Sequence, residues 1–312
     1  MFSIGVLYQE FAIFATVMLC GFLGTKLRWF SVDVQKSIGK LMLYVCIPAV
    51  VLRVILQAGG SAFFLHWRLF LMVFLMTVSL MLLGTFVGKV CKLSGKRLEA
   101  YKALFMFHNT GYMGFPLVES IFGIGKMLPM IIHSISDNLL VWTVGNYFIS
   151  GGKYGGKFAL KRICNPITLS ILGSLLLAFI GVNPDGIFLF DAIFGLAGMT
   201  RYLCMLWLGM ELTKLSFVKT FKMPCLFAYA AIKMVLLPLL AYPLLRRLGF
   251  LDETTVLILF LQLSLPAMAT IGVLSQNTSE QEFASAMILG SMLLSLLTIP
   301  LVFLLRTRLF GV

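Results

Sequence analysis

Between His108 and Pro116 the chain reads His-Asn-Thr-Gly-Tyr-Met-Gly-Phe-Pro, and between Gln262 and Gly272 it reads Gln-Leu-Ser-Leu-Pro-Ala-Met-Ala-Thr-Ile-Gly. Each segment sets amides and hydroxyls beside the residues least suited to a continuous helix. In the first, Asn109 and Thr110 stand next to Gly111, Gly114 and Pro116; in the second, Gln262, Ser264 and Thr270 flank Pro266. An amide both donates and accepts hydrogen bonds. A helix that restarts after a break presents unpaired N–H groups and the positive end of its dipole, which suits an anion. Asp137, with Asn138 beside it, adds one carboxylate able to carry a proton or to ligate a cation. This is chemistry for holding and releasing a small charged molecule.

These residues lie in apolar surroundings. About ten apolar stretches, most of them some 19 to 25 residues long, run from Phe2 to Phe310 and are separated by short basic loops. A helix needs roughly 20 apolar residues to cross about 30 Å of hydrocarbon. With mean hydropathy +1.00, 60% hydrophobic residues and 12% charged ones, the chain reads as an all-α membrane protein. The spacing predicts spans near 3–25, 36–58, 65–90, 100–122, 127–149, 165–182, 190–213, 222–245, 253–275 and 282–305. They use nearly all of the 312 residues, so function is expected among the helices. The first span is expected to be retained, because Gln9 and Glu10 interrupt it and no basic segment precedes it.

The net charge of +13 comes from loop lysines and arginines and reads as topology, not as a nucleic-acid surface. Loops after odd-numbered spans, including Lys36, Lys40, Lys96, Lys102, Lys153, Lys161 and Lys214, hold about 15 basic residues against 6 opposite. Both termini are therefore expected outside. Arg246–Arg247 and Arg306/Arg308 run against the bias without reversing it. The six cysteines form no C-x-x-C pair, so neither a zinc site nor a disulfide frame is expected. His66, His108 and His133 are spaced too widely for a metal motif, and no H-E-x-x-H occurs, so no metal, no cofactor and no enzymatic activity is expected. A phosphate-cradling G-x-x-x-x-G-K-[ST] loop is also lacking.

The segment Gly151-Gly-Lys-Tyr-Gly-Gly-Lys157 reads as a flexible linker with five spans on either side. An odd number of spans per half inserts the second half upside down. The expected organisation is a first five-helix repeat at 1–150, a cytoplasmic linker at 151–163 and an inverted five-helix repeat at 164–312. Ser136–Gly145 in span five and Gly290–Pro300 in span ten share a polar start and a Leu-Leu pair. The interruptions of spans four and nine correspond, and paired interrupted helices point to a midplane binding site. Arg201 and Lys233 are candidate cations for a carboxylate.

Asn109-Thr-Gly-Tyr-Met-Gly-Phe-Pro-Leu117 resembles the N-T-G-x-x-G-x-P-L signature of the auxin efflux carrier family, which includes bacterial malonate and malate permeases and plant auxin exporters. Leu41–Pro48, Leu208–Leu212 and Leu294–Pro300 fit as well, so the similarity spans the chain in order. The resemblance implies ten transmembrane helices in two inverted repeats, with helices four and nine broken and crossing at the membrane centre. Asn109 and Pro116 would mark the first crossover and Pro266 the second. Helices one, two, six and seven would form a scaffold against which the others move. Met268 and Thr270 depart from the family's usual small residues and Asn after the proline.

The resulting expectation is a secondary transporter of small organic anions, mono- or dicarboxylates, in a bacterial plasma membrane. Its alternative is a non-transporting sensor or scaffold on a carrier fold. Expected partners are the anion, the lipid bilayer and a proton or sodium as coupling ion, with a homodimer left open. Proton-coupled or membrane-potential-driven movement is favoured over sodium coupling, with Asp137 as the titrating group, because few other oxygen ligands accompany it.

Overall fold

The computed structural model describes residues 4–59, 65–150, 164–276 and 278–311. The expected linker at 151–163, with Lys153, Lys157, Lys161 and Arg162, lies outside the described residues. Within them the fold is helical, and its only regular pairing outside helices is a single antiparallel bridge between His108 and Ala267.

The long helices are α1 (Ile4–Lys26), α2 (Val32–Ala58), α3 (Trp67–Val90), α8 (Phe188–Leu212), α9 (Pro224–Arg247) and α12 (Gln281–Phe310). These six are long and apolar enough to cross a membrane. Shorter pieces fill the rest: α4 (Gly95–Met106), α5 (Phe115–Phe122), α6 (Leu128–Leu140), α7 (Pro166–Phe179), α10 (Glu253–Ser264) and α11 (Thr270–Leu274). A π turn at Val141–Gly145 carries α6 on to Ser150. Helical segments overlap the expected spans, and those at spans four and nine are split in two.

Many helices begin where proline lets them. Pro129, Pro166 and Pro224 each lie in a first turn, where a missing N–H leaves no bond unmade. Pro48 and Pro116 directly follow π turns, at Met42–Cys46 and Thr110–Gly114, which absorb the register change. Asn165 caps α7, its Oδ1 accepting from the amides of Ile167 and Thr168 at 3.0 Å.

Helix α1 packs along α8, and α2 packs on α7 and α8, which groups these four together. A second group joins α3 to α4 and α6, and α9 to α10 and α12. The α1–α8 contact is backbone to backbone. A Cβ on Gly209 would collide with the carbonyl of Met18, and one on Gly21 with the carbonyl of Leu206. Small residues permit such approach between membrane helices, where dispersion replaces the hydrophobic drive. Gly209→Val is expected to destabilise the fold by about 1–3 kcal/mol through overpacking. Thermal unfolding followed by size-exclusion chromatography would register the loss; an unchanged midpoint would contradict this contact.

The centre is held by the two breaks. The amide of Asn109 donates to the carbonyl of Pro266 at 3.0 Å, and the amide of Met268 to the carbonyl of Phe107 at 3.2 Å. Ser291 Oγ accepts from the amide of Ala267 at 3.2 Å. Backbone groups freed in hydrocarbon cost several kcal/mol unless satisfied within the protein, and here each break satisfies the other.

Candidate functional site

The break in the first half falls at Phe107–Asn109, ahead of the glycines, and the chain re-enters helix through the π turn Thr110–Gly114. Pro116 therefore sits beyond the crossing, in the first turn of α5, while Pro266 lies in the second break itself. Gly114 provides room, since a Cβ there would press on the side chains of Leu265 and Met130.

A cavity of about 520 Å³ opens beside this crossing. The crossing contributes Asn109, Thr110, Gly111 and Tyr112 from one break and Met268, Ala269 and Thr270 from the other. Helix α6 adds Asp137 and Asn138, and the π turn after it Trp142; α2 adds Lys36 and Lys40; α8 adds Trp207 and Glu211. Tyr112 stacks on Trp207 with ring centroids 4.7 Å apart. Glu211 is already engaged, accepting from Gln35 Nε2 at 2.9 Å and from Lys214 Nζ at 2.7 Å. Lys36 and Lys40 add positive charge to the cavity wall, Lys36 with its Nζ 3.8 Å from Asp33 Oδ1.

Behind the wall lies a polar cluster shut off from solvent. Gln262 Nε2 donates to Thr110 Oγ1 at 2.7 Å and lies 3.0 Å from His133 Nδ1. Thr110 Oγ1 donates to Asp137 Oδ2 at 3.3 Å. The His108 and His133 rings meet edge to face at 5.2 Å, and both turn a nitrogen toward Asp137. Ser264 is buried but bonds back to Phe260 within its own helix.

A family profile described as membrane transport protein matches residues 6–155 and again residues 152–303. The chain belongs to this family. It is the auxin efflux carrier-like family expected from the Asn109–Leu117 signature, and the protein is a multi-pass membrane protein. The chain is also similar to a Methanocaldococcus jannaschii protein described as an uncharacterized transporter, at 26% identity over 185 residues. That match covers 57% of this chain and 60% of the relative, so it spans less than two thirds of the relative's length.

In this family member the expected site residues separate into two sets. Asn109, Thr110, Gly111, Thr270, Asp137 and Asn138 line the cavity. Gly114, Pro116, Gln262, Ser264 and Pro266 stand behind it, shaping the crossing or bonding its polar groups. The two candidate cations do not reach it. Arg201 pairs with Glu10 at 3.1 Å and lies over Tyr202, and Lys233 is turned to backbone carbonyls of α4. Their place is taken by Lys36 and Lys40, which the sequence presented only as topological charge although their i,i+4 spacing sets them on one helix face.

The histidine expectation also needs correction. His108 and His133 are 25 positions apart, but the return of the chain through α5 and α6 sets one ligand atom each from His108, His133 and Asp137 within 4.8 Å of the others. His133 and Asp137, one turn apart on α6, were the part of this cluster that spacing could have disclosed.

Proposed function

We propose that this protein is a secondary carrier of small organic anions, mono- or dicarboxylates, that works by alternating access at the crossing of its two breaks. The observation that carries the reading is the cavity at that crossing, lined by amide and hydroxyl groups of both breaks and by Lys36 and Lys40. The first amides of a helix have no partner within it, and Gly111 and Tyr112, at the start of the segment leading into α5, face the cavity. They, with Asn109 and Asn138, offer an anion hydrogen bonds.

The same reading takes the chain as ten crossings in two inverted five-helix repeats. Its support is the double match of the family profile, once per half, together with the odd number of helical spans in each. The group α1, α2, α7 and α8 would act as scaffold and the rest as the moving part, with the cavity at their boundary. The lysine bias sets both termini outside a bacterial plasma membrane and opens this cavity to the cytoplasm.

Purified protein in proteoliposomes, screened with radiolabelled three- and four-carbon carboxylates under imposed proton or sodium gradients, tests the proposal. Saturable uptake is expected. Lys36→Ala combined with Lys40→Ala should slow it by about 3–10-fold at low ionic strength and less at high salt, because these charges concentrate anions at the mouth. Ligand retention without flux for every carboxylate tried would replace the carrier by a binding protein on the same fold.

A further inference from the structure

The cluster behind the cavity wall has the donor set of a metal centre. His108 Nδ1 lies 3.9 Å and His133 Nδ1 3.4 Å from the same oxygen, Asp137 Oδ2. In a tetrahedral zinc site with bonds near 2.0–2.1 Å, neighbouring ligand atoms are about 3.3 Å apart. Both edges are within about an ångström of that spacing. All three side chains are fully buried.

The cluster is also short of hydrogen bonds. Both ring nitrogens of His108, Nε2 of His133, Oδ1 of Asp137 and Oε1 of Gln262 have no hydrogen-bond partner among the described residues. Buried polar atoms are ordinarily satisfied, at a cost of about 1–3 kcal/mol each when they are not. A cation between the two imidazoles and the carboxylate would engage His108 Nδ1, which has no partner among the described residues, while His133 Nδ1 and Asp137 Oδ2 now meet Gln262 and Thr110.

We infer that His108, His133 and Asp137 bind a divalent d-block cation, zinc being the reference case, and that the substrate's carboxylate completes its coordination. Two imidazole nitrogens and one carboxylate oxygen suit zinc, cobalt or manganese; sodium, magnesium and calcium take oxygen ligands. The contact of Gln262 Nε2 with His133 Nδ1 must yield to the metal. Half a turn of the amide brings the unpartnered Oε1 to the same place as an oxygen donor. Asp137 and Thr110 face the cavity while the histidines lie behind it, so the remaining coordination position points toward the anion. With one carboxylate from the protein, a divalent ion keeps a net positive charge, and burial makes its neutralisation by the substrate favourable. The metal site stands on the cluster alone; its closure by substrate rests on the carrier reading above.

Cobalt(II) is the probe. Full-length protein in detergent, stripped with chelator, is expected to bind one cobalt per chain with the visible absorption of tetrahedral cobalt, and zinc should displace it. His133→Gln and Asp137→Asn should each weaken binding by about 100-fold, while His66→Gln should leave it unchanged. His108 belongs to the crossing itself, so the α6 variants and the wild-type stoichiometry decide the matter if His108→Gln does not fold. Substoichiometric cobalt in the wild type, or undiminished binding in His133→Gln, overturns the site. In proteoliposomes, stripping should lower anion uptake by about 10-fold or more, with recovery on adding zinc. Equal uptake by stripped and loaded protein overturns the coordination of substrate. Stoichiometric metal without uptake of any anion would leave the metal site standing and remove the carrier reading.

Discussion

Lys233→Met is expected to lower the unfolding midpoint by about 5–20 °C, or to prevent accumulation of folded protein altogether. The side chain is fully buried and carries the unmade bonds of the first break. Its Nζ donates to the carbonyl of Phe107 at 3.3 Å, to that of Leu104 at 3.4 Å and to Tyr229 Oη at 2.6 Å. Those carbonyls belong to the end of α4, where the helix has no further amides to offer. Methionine has a similar length and no donor. The carbonyl of Phe107 keeps the amide of Met268 at 3.2 Å and that of Leu104 keeps the hydroxyl of Tyr229 at 3.2 Å, so the loss is the charged donor shared by both. A hydrogen bond to a charged group contributes about 1.5–3 kcal/mol, against a total stability of order 5–15 kcal/mol. Removing the amine also removes its own burial cost, but it leaves the hydroxyl of Tyr229 without the donor that it now accepts from at 2.6 Å. Scanning fluorimetry of the purified variant measures the effect, and a midpoint equal to wild type would strip Lys233 of this role.

Asn109→Ala is expected to reduce anion uptake by about 10–100-fold while leaving the protein folded and inserted. The backbone of Asn109 does not depend on its side chain. Its amide is held by Pro266, and its carbonyl accepts from the amides of Met113 at 3.1 Å and Gly114 at 3.0 Å. The side chain meanwhile faces the cavity with Nδ2 buried and unpartnered. A hydrogen bond to a charged group contributes about 1.5–3 kcal/mol, and each 1.4 kcal/mol is a factor of ten. Initial uptake rates at matched membrane levels decide it. Wild-type rates would take Asn109 out of the binding site.

The broken spans were legible because glycine and proline in an apolar stretch have few uses, and the family signature sits on them. Their exact geometry was not. Pro116 drew attention to the middle of span four, yet the chain leaves helix at Phe107, because the break is placed by its pairing with Pro266 and Met268. Local propensity cannot report a partner in the other half of the molecule. The same holds for Arg201, which is plausible as a substrate ligand until Glu10 of α1 is seen beside it. Lys36 and Lys40 illustrate the reverse case: residues explained sufficiently by topology also line the cavity. His108 and His133 come together only through the fold, since nothing in a separation of 25 positions signals contact.

The dependence of each break on the other sets an order of events during biogenesis. Thr110 and Gln262, bonded across the crossing, are separated by 152 residues of chain. At about 5–20 residues per second a ribosome needs roughly 8–30 s to make that length. For this interval α4 and α5 have left the translocon or wait beside it, while the amide of Asn109 and the carbonyl of Phe107 lack the strand that will satisfy them. The first half is therefore a nascent client that insertion factors must shelter, and a chain stopped at mid-length presents membrane proteases with an unfinished seam.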